Sequence, residues 1–502
     1  MRAMTRFRLV RFVLPVLALA LHAQDAQMVL RTSVTYRTQR NSAQLTDDQK
    51  KEADQLAAEA SKATQAEKYS DAMRAYYHGL AVMRGVTWTP AVEFASGLQG
   101  RLDHAVLDPG KQIKVTLSPL YTTSGTVKLN GSVFLVPKKE GGAEKSLASS
   151  LAIDPGKIPF STTVALPSDS TGDFNLEVRL APEAEPAPAN ARAGLVKILP
   201  VHVESLAASA QRLRDRIART KNKTSPALPT AEYALTLYER ADRGEVNPAT
   251  YHFTDEFARA NELLDAIDAG RDPFQNKRGD FRKAYRSAVD QTLQPYRLLI
   301  PEAYNASKPN PLVVALHGMG GDENSMFDMY GSGALKREAE RLGLAVVCPK
   351  GRDTASMYRG PAEQDVMDVL AEVRRDYNID STRIYLMGHS MGGFGTWSVA
   401  MSHPDVWAAL GPISGGGNAM GMAQIANIPE YVVHGDADPT VPVAMSRMMV
   451  EAGKMAKANI TYVEVPGGNH VNVVVPQFKP MLEFFAKQRK VVADQTSPQE
   501  LH

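Results

Sequence analysis

Tyr385-Leu386-Met387-Gly388-His389-Ser390-Met391-Gly392-Gly393 decides how this 502-residue chain is read. An apolar run enters Gly-His-Ser-Met-Gly, and a segment of helical period follows over residues 391–402. This is G-x-S-x-G between a strand and a helix, the setting of a nucleophile on a sharp turn. The serine there sits in a strained backbone conformation, and the flanking chain passes so close that a Cβ two residues before or after it would clash. The turn lifts the hydroxyl clear of the sheet. A P-loop reading fails, because Phe394 stands where Lys is needed after the Gly388–Gly393 interval. An idle serine in a tight turn gives the same letters, so the motif needs partners elsewhere.

Outward from this stretch the chain alternates apolar runs with helix-period segments. Pro311–Leu316, Leu344–Cys348, Arg383–Met387, Trp407–Leu410 and Tyr431–Val433 read as buried strands. Helical segments lie near 333–342, 361–377, 391–402 and 442–456. The pattern predicts an α/β fold with a mostly parallel sheet covered on both faces. In such folds ligands bind beyond the carboxyl ends of the strands, so the loops after the apolar runs carry the chemistry.

Three further loops do. His317-Gly318-Met319-Gly320-Gly321 follows the first run. Its backbone N–H groups, with that of Met391, suit an oxyanion hole. Gly318, Met319 and Gly320 are each open as the donor, with Met319 taken as the candidate. A dinucleotide fingerprint fails there, since Glu323 occupies the third glycine position. His434-Gly435-Asp436-Ala437-Asp438-Pro439-Thr440-Val441-Pro442 offers two carboxylates, either able to orient a histidine. Gly467-Gly468-Asn469-His470 offers that histidine on a flexible glycine loop, and a neutral imidazole suits a general base at neutral pH. The order Ser390, acid, His470 is that of the α/β-hydrolase triad.

Residues 295–488 therefore resemble an α/β-hydrolase, in the secreted bacterial esterase and depolymerase-like branch near the prolyl-oligopeptidase-type hydrolases. The resemblance rests on His317–Gly321, Gly388–Gly393, His434–Pro442 and Asn469-His470. It implies Ser390 as nucleophile, His470 as general base and, from H-G-x-x-D-x-x-V-P, Asp438 rather than Asp436 as the acid. It also implies acyl-enzyme chemistry on an ester substrate, with neither metal nor cofactor. Two rivals are a serine peptidase of prolyl-oligopeptidase type and a non-catalytic binding protein on a relic fold. Tyr358 and Arg359, after the Cys348 run, are candidates to line the leaving-group side. Gly415–Met422 is read as a mobile, Met-bearing rim of the acyl pocket, Trp397 as core and Cys348 as a small apolar residue.

The rest of the chain adds context. At about 150 residues per domain, its length predicts about three domains. Hydrophobic residues at 44% and charged residues at 22% exclude wholesale disorder. A net charge of +2 gives no footprint for nucleic acid. The single cysteine excludes an intramolecular disulfide and a Cys-based zinc site. Residues 1–23 read as a signal peptide: four arginines, an apolar run Phe12–Leu21 too short to span a bilayer, and Ala18-Leu19-Ala20 as a cleavage site. The expectation is a secreted or periplasmic protein without a membrane span after cleavage. Residues 24–104 read as a helical region, with helix over 46–84 broken near Lys68. Residues 105–203 read as an immunoglobulin-like β-sandwich, with strands at 113–117, 126–129, 132–136, 162–166 and 174–180 and turns at Asn130-Gly131 among others. Residues 204–278 read as a helical connector, 279–490 as the catalytic domain and 491–502 as a tail.

Overall fold

The turn at Ser390 is held by a sheet whose strands at 310–316, 345–349, 409–413 and 430–435 are buried almost throughout. The computed structural model describes residues 13–123, 127–182, 195–353 and 355–490. The chain divides into two units, Met1–Arg212 with Leu237–Phe257 and Leu213–Thr236 with Ala258–His502. The first contains β1 (Leu98–Leu102), β2 (Val106–Leu107), β3 (Gln112–Pro119), β4 (Leu129–Pro137), β5 (Lys145–Ile153), β6 (Phe160–Ala165), β7 (Gly172–Pro182) and β8 (Val196–Val203). The second contains β9 (Gly279–Arg286), β10 (Leu293–Ile300), β11 (Asn310–Leu316), β12 (Ala345–Pro349), β13 (Ile379–His389), β14 (Ala409–Ile413), β15 (Glu430–Gly435) and β16 (Ile460–Val465).

In the first unit the helices Asp47–Gln65 and Tyr69–Met83 meet at a break that includes Lys68. Thr46 and Gln49 form a capping box that starts the former. Tyr36, in the helix Val13–Ser42, is buried and donates its hydroxyl to Ala53 O. Residues 1–12 of the expected signal peptide lie outside the described residues, and residues 13–23 open this same helix. Among the described residues no helix is long and apolar enough to cross a membrane.

β1, β3 and β6 form one sheet, and β2-β8-β7-β4-β5 form another. Ile113, Val115 and Leu117 of the first and Val133, Leu135, Leu176 and Val178 of the second share one core. This is the layering of a β-sandwich. Asn130-Gly131, read above as a turn, lies inside β4, where Gly131 pairs with Leu180 on one side and Leu151 on the other. Leu129, Val133 and Leu135 all face the core across it, and that burial overrides the local turn preference. Thr126 of the expected strand 126–129, residues 183–194 of the Pro/Ala-rich loop and the tail 491–502 lie outside the described residues.

In the second unit the order is β16-β15-β14-β13-β11-β12-β10-β9, parallel from β16 to β12 and antiparallel through β10 and β9. The helices Ala334–Leu342, Pro361–Asp376, Met391–Ser402 and Ala444–Met455 make the crossovers that parallel strands require. Leu335, Ala339, Phe478, Met481 and Phe485 cover one face against Val313, Ala315, Val346, Met387 and Val433. The strand expected at Trp407–Leu410 starts two residues later, at Ala409, with Trp407 buried ahead of it. β12 and β13 lie on opposite sides of β11, although they follow it in turn. Such a reversal opens a crevice at the strands' carboxyl ends. Leu316 pairs with Gly388, so the loops that leave β11 and β13 emerge side by side.

At the other end of β15, the buried Glu430 accepts a hydrogen bond of 2.8 Å from Trp397 Nε1. Burial pushes its carboxyl up to about 7 from an ordinary 4.5, against the smaller effect of the Trp397 donor. The folded state therefore holds this proton more tightly than the unfolded chain. Stability from this group is full below about pH 4.5 and is lost as pH rises through about 7. The loss is on the order of 3 kcal/mol, at about 1.4 kcal/mol per unit. Glu430→Gln is expected to flatten this slope and to exceed the wild type in stability at pH 8, as read by urea unfolding at pH 4, 6 and 8.

Candidate active site

Ser390 leaves β13 and caps the helix Met391–Ser402 with φ 56° and ψ −117°. Positive φ is unfavourable for a residue with a side chain, and surrounding contacts must hold it there. A Cβ on Gly388 would lie 2.3 Å from Gly392 O, and one on Gly392 would lie 2.2 Å from Leu316 O. Both positions thus exclude any larger residue. Ser390 N–H donates to Ile413 O at 2.9 Å, which ties the turn to β14.

Ser390 Oγ lies 2.9 Å from His470 Nε2, and His470 Nδ1 lies 2.7 Å from Asp438 Oδ2. A carboxylate only accepts, so Nδ1 carries the proton and Nε2 is free to accept from the serine. The His470 side chain is 13% exposed and that of Asp438 is 0% exposed, so the ring is reachable while the carboxylate is sealed. Asp438 Oδ1 accepts from Thr440 N and Val441 N at 2.8 and 2.9 Å. Oδ2 is also 3.2 Å from Nε2 of the fully buried His434. Burial opposes the Asp438 charge, but His434, His470 and the backbone donors outweigh it and hold the carboxyl well below the usual range.

Asp436 has a different place. It is exposed, and its Oδ1 accepts from Gly467 N at 2.7 Å. The loop of His470, read above as flexible, is thus pinned. Asn469 Oδ1 accepts from Val471 N and Asn472 N, and Asn472 Oδ1 accepts from Asn469 N. His389 Nε2 reaches His470 O at 2.7 Å. This last contact and the His434 contact were missed from sequence, where both residues passed as spacers inside motifs.

Beside the candidate N–H donors, a Cβ on Gly318 would stand 3.5 Å from Ser390 Cβ. Met319 follows Gly318 and Met391 follows Ser390, so the two N–H groups named above belong to residues adjoining that contact. Tyr358 requires a correction. It is fully buried, so its ring has no access to a substrate. Its hydroxyl accepts from His317 N at 3.0 Å, and its ring lies where a Cβ on Gly395 would come within 2.6 Å. Tyr358 braces the loop after β11 from beneath, while Arg359 is exposed. Tyr358→Phe leaves a buried N–H without its partner, so a stability loss of about 1–3 kcal/mol is expected in urea unfolding, with KM unchanged. In the Gly415–Met422 segment, Met420 is exposed and Met422 is buried. Trp397 and Cys348 are both core residues.

The prolyl oligopeptidase family (Peptidase_S9) matches residues 358–429. A probable feruloyl esterase C of Aspergillus oryzae is 31% identical over 192 residues, which cover 36% of this chain and 68% of that protein. A bifunctional acetylxylan esterase/xylanase of Neocallimastix patriciarum is 31% identical over 138 residues, 27% of this chain. The chain spans only 20% of that bifunctional protein's length. The crystal structure of a thermostable esterase is 17% identical with a TM-score of 0.39, covering 77% of this chain and 99% of that one.

Proposed function

Because the chain belongs to the α/β-hydrolase serine hydrolases, we propose that it is an exported carboxylester hydrolase working through Ser390, His470 and Asp438. The observation that carries this reading is the unbroken line from Ser390 Oγ through the His470 ring to Asp438 Oδ2, with contacts of 2.9 and 2.7 Å. His470 Nε2 takes the serine proton as Oγ attacks the acyl carbon. Asp438 keeps the ring in the tautomer that allows this and stabilises the imidazolium that forms. The N–H groups of Met391 and Met319 receive the oxyanion, a contribution of about 10²–10³ in kcat per donor. His470 then returns the proton to the leaving alcohol, and water attacks the acyl-enzyme by the same route.

The match to a feruloyl esterase supports an ester with an aromatic acyl group, and the match to an acetylxylan esterase one with a short acyl group. Of the two leaving-group candidates, the exposed Arg359 is the one left to meet a substrate. Residues 1–23 act in this reading as the export leader. Residues 24–104, the immunoglobulin-like 105–203 and the connector 204–278 precede a catalytic domain over 279–490. The prolyl oligopeptidase match across 358–429, which includes the nucleophile turn, favours a second reading as a peptidase. Purified protein assayed on p-nitrophenyl acetate, p-nitrophenyl butyrate, methyl ferulate and peptide p-nitroanilides separates the two. Ester turnover with fluorophosphonate labelling at Ser390 is expected. Turnover of anilides alone would replace the esterase reading by the peptidase one.

A further inference from the structure

His389, between Gly388 and the nucleophile, is 3% exposed and has both ring nitrogens engaged. Nε2 is 2.7 Å from His470 O, and Nδ1 is 2.7 Å from Tyr330 Oη. A carbonyl oxygen only accepts, so Nε2 carries the proton. In the neutral ring Nδ1 is then an acceptor, and the Tyr330 hydroxyl donates to it. The bonds run in one direction: Tyr330 O–H to His389, and His389 N–H to the carbonyl of His470. From this geometry we propose that His389, set by Tyr330, is the positioning residue that holds the backbone of the general base against the strand bearing the nucleophile. The proposal rests on the hydrolase reading above.

Three observations support it. First, Asp438 fixes His470 only at the ring, through Nδ1. The Asp436 and Asn472 contacts hold residues 467 and 469, whereas His389 alone among these grips the peptide of residue 470 itself. Second, the grip comes from the residue adjacent to Ser390, so nucleophile and base share one anchor on β13. Third, the two imidazole rings lie 4.7 Å apart between centroids and tilted by 47°. A charge on His389 would oppose the imidazolium that forms on His470 during turnover. Burial, and secondarily the His470 charge, push the His389 ring down to about 3, so it stays neutral at working pH.

The test uses the full-length chain with three substitutions, reading kcat and KM on p-nitrophenyl butyrate and the rate of fluorophosphonate labelling. His389→Leu removes the donor. It is expected to lower kcat and labelling rate together by about 10², the effect of misplacing a catalytic group by about 1 Å, with KM within about threefold. His389→Gln keeps a donor for His470 O and an acceptor for Tyr330 on one side chain, and is expected to recover kcat to within about fivefold of wild type. Tyr330→Phe frees the ring and is expected to cost about tenfold in kcat at unchanged KM. Wild-type kcat in His389→Leu, or a Gln variant as slow as the Leu variant, overturns the proposal. If His389→Leu does not fold, the Gln and Phe variants decide: a slowed Phe variant beside an active Gln variant supports it, and wild-type kcat in Tyr330→Phe refutes it. A wild-type protein inert to esters, anilides and the probe would instead bring down the hydrolase reading.

Discussion

Ser390→Ala is expected to lower kcat on p-nitrophenyl butyrate by at least about 10⁴-fold while leaving the thermal midpoint near that of the wild type. The loss is chemical: without Oγ no acyl-enzyme forms, and His470 has no proton to accept. Stability is spared because alanine at φ 56° carries the same backbone strain as serine. Ser390→Gly sharpens the test. It should match the alanine variant in kcat yet raise stability by about 1 kcal/mol, since glycine tolerates that conformation. His470→Ala should lose about as much as Ser390→Ala, and the double variant should be hardly worse than either, because the groups act as one unit. Additive losses would mean that the 2.9 Å contact between them is not used in turnover.

Asp438→Asn is expected to cost about 10⁴-fold in kcat near neutral pH, and Asp436→Asn less than about threefold. The surroundings of Asp438 explain the size of the effect. An asparagine there must keep its oxygen toward Thr440 N and Val441 N, because turning the amide would aim N–H at N–H. Its NH₂ group then faces His470 Nδ1 and His434 Nε2, both donors in the wild type. His470 escapes the clash by shifting its proton to Nε2, and the ring can no longer accept from Ser390. Asp436 is exposed and accepts one bond from Gly467 N, which an amide oxygen can also do. Steady-state rates of the two variants side by side make the comparison, and a larger loss in Asp436→Asn would reverse the assignment of the acid.

The candidate site was legible in the sequence because Ser390 and the Asp436–Asp438 pair each follow an apolar run directly, and His470 on its glycine loop completes the chain order of a triad. The choice between the two aspartates was not legible from the residues. It depends on which carboxylate turns inward, and resemblance to a family motif supplied it. Tyr358 was misread because its burial is set by Gly395, 37 positions later, whose missing side chain admits the ring. His389 looked like filler since its partner Tyr330 comes from another segment, and His434 since nothing in the letters shows its ring turning back on Asp438 and Val441 of its own loop as well as on Ser446. In the first unit, β5 escaped notice as a half-exposed edge strand with weak alternation. β8 escaped because Pro200 interrupts it, although that residue lies opposite Asn175 in the ladder.

Ser390 and His470 are not equally protected. Ser390 issues from β13, flanked by β11 and β14, whereas the loop of His470 issues from β16, which among the described residues has a neighbour on one side only. Fraying should begin at that border and withdraw the imidazole while the elbow of the serine is still intact. Heat inactivation would then precede cooperative melting, amide hydrogens of 460–465 would exchange ahead of those of 384–388, and brief cooling would restore activity without refolding.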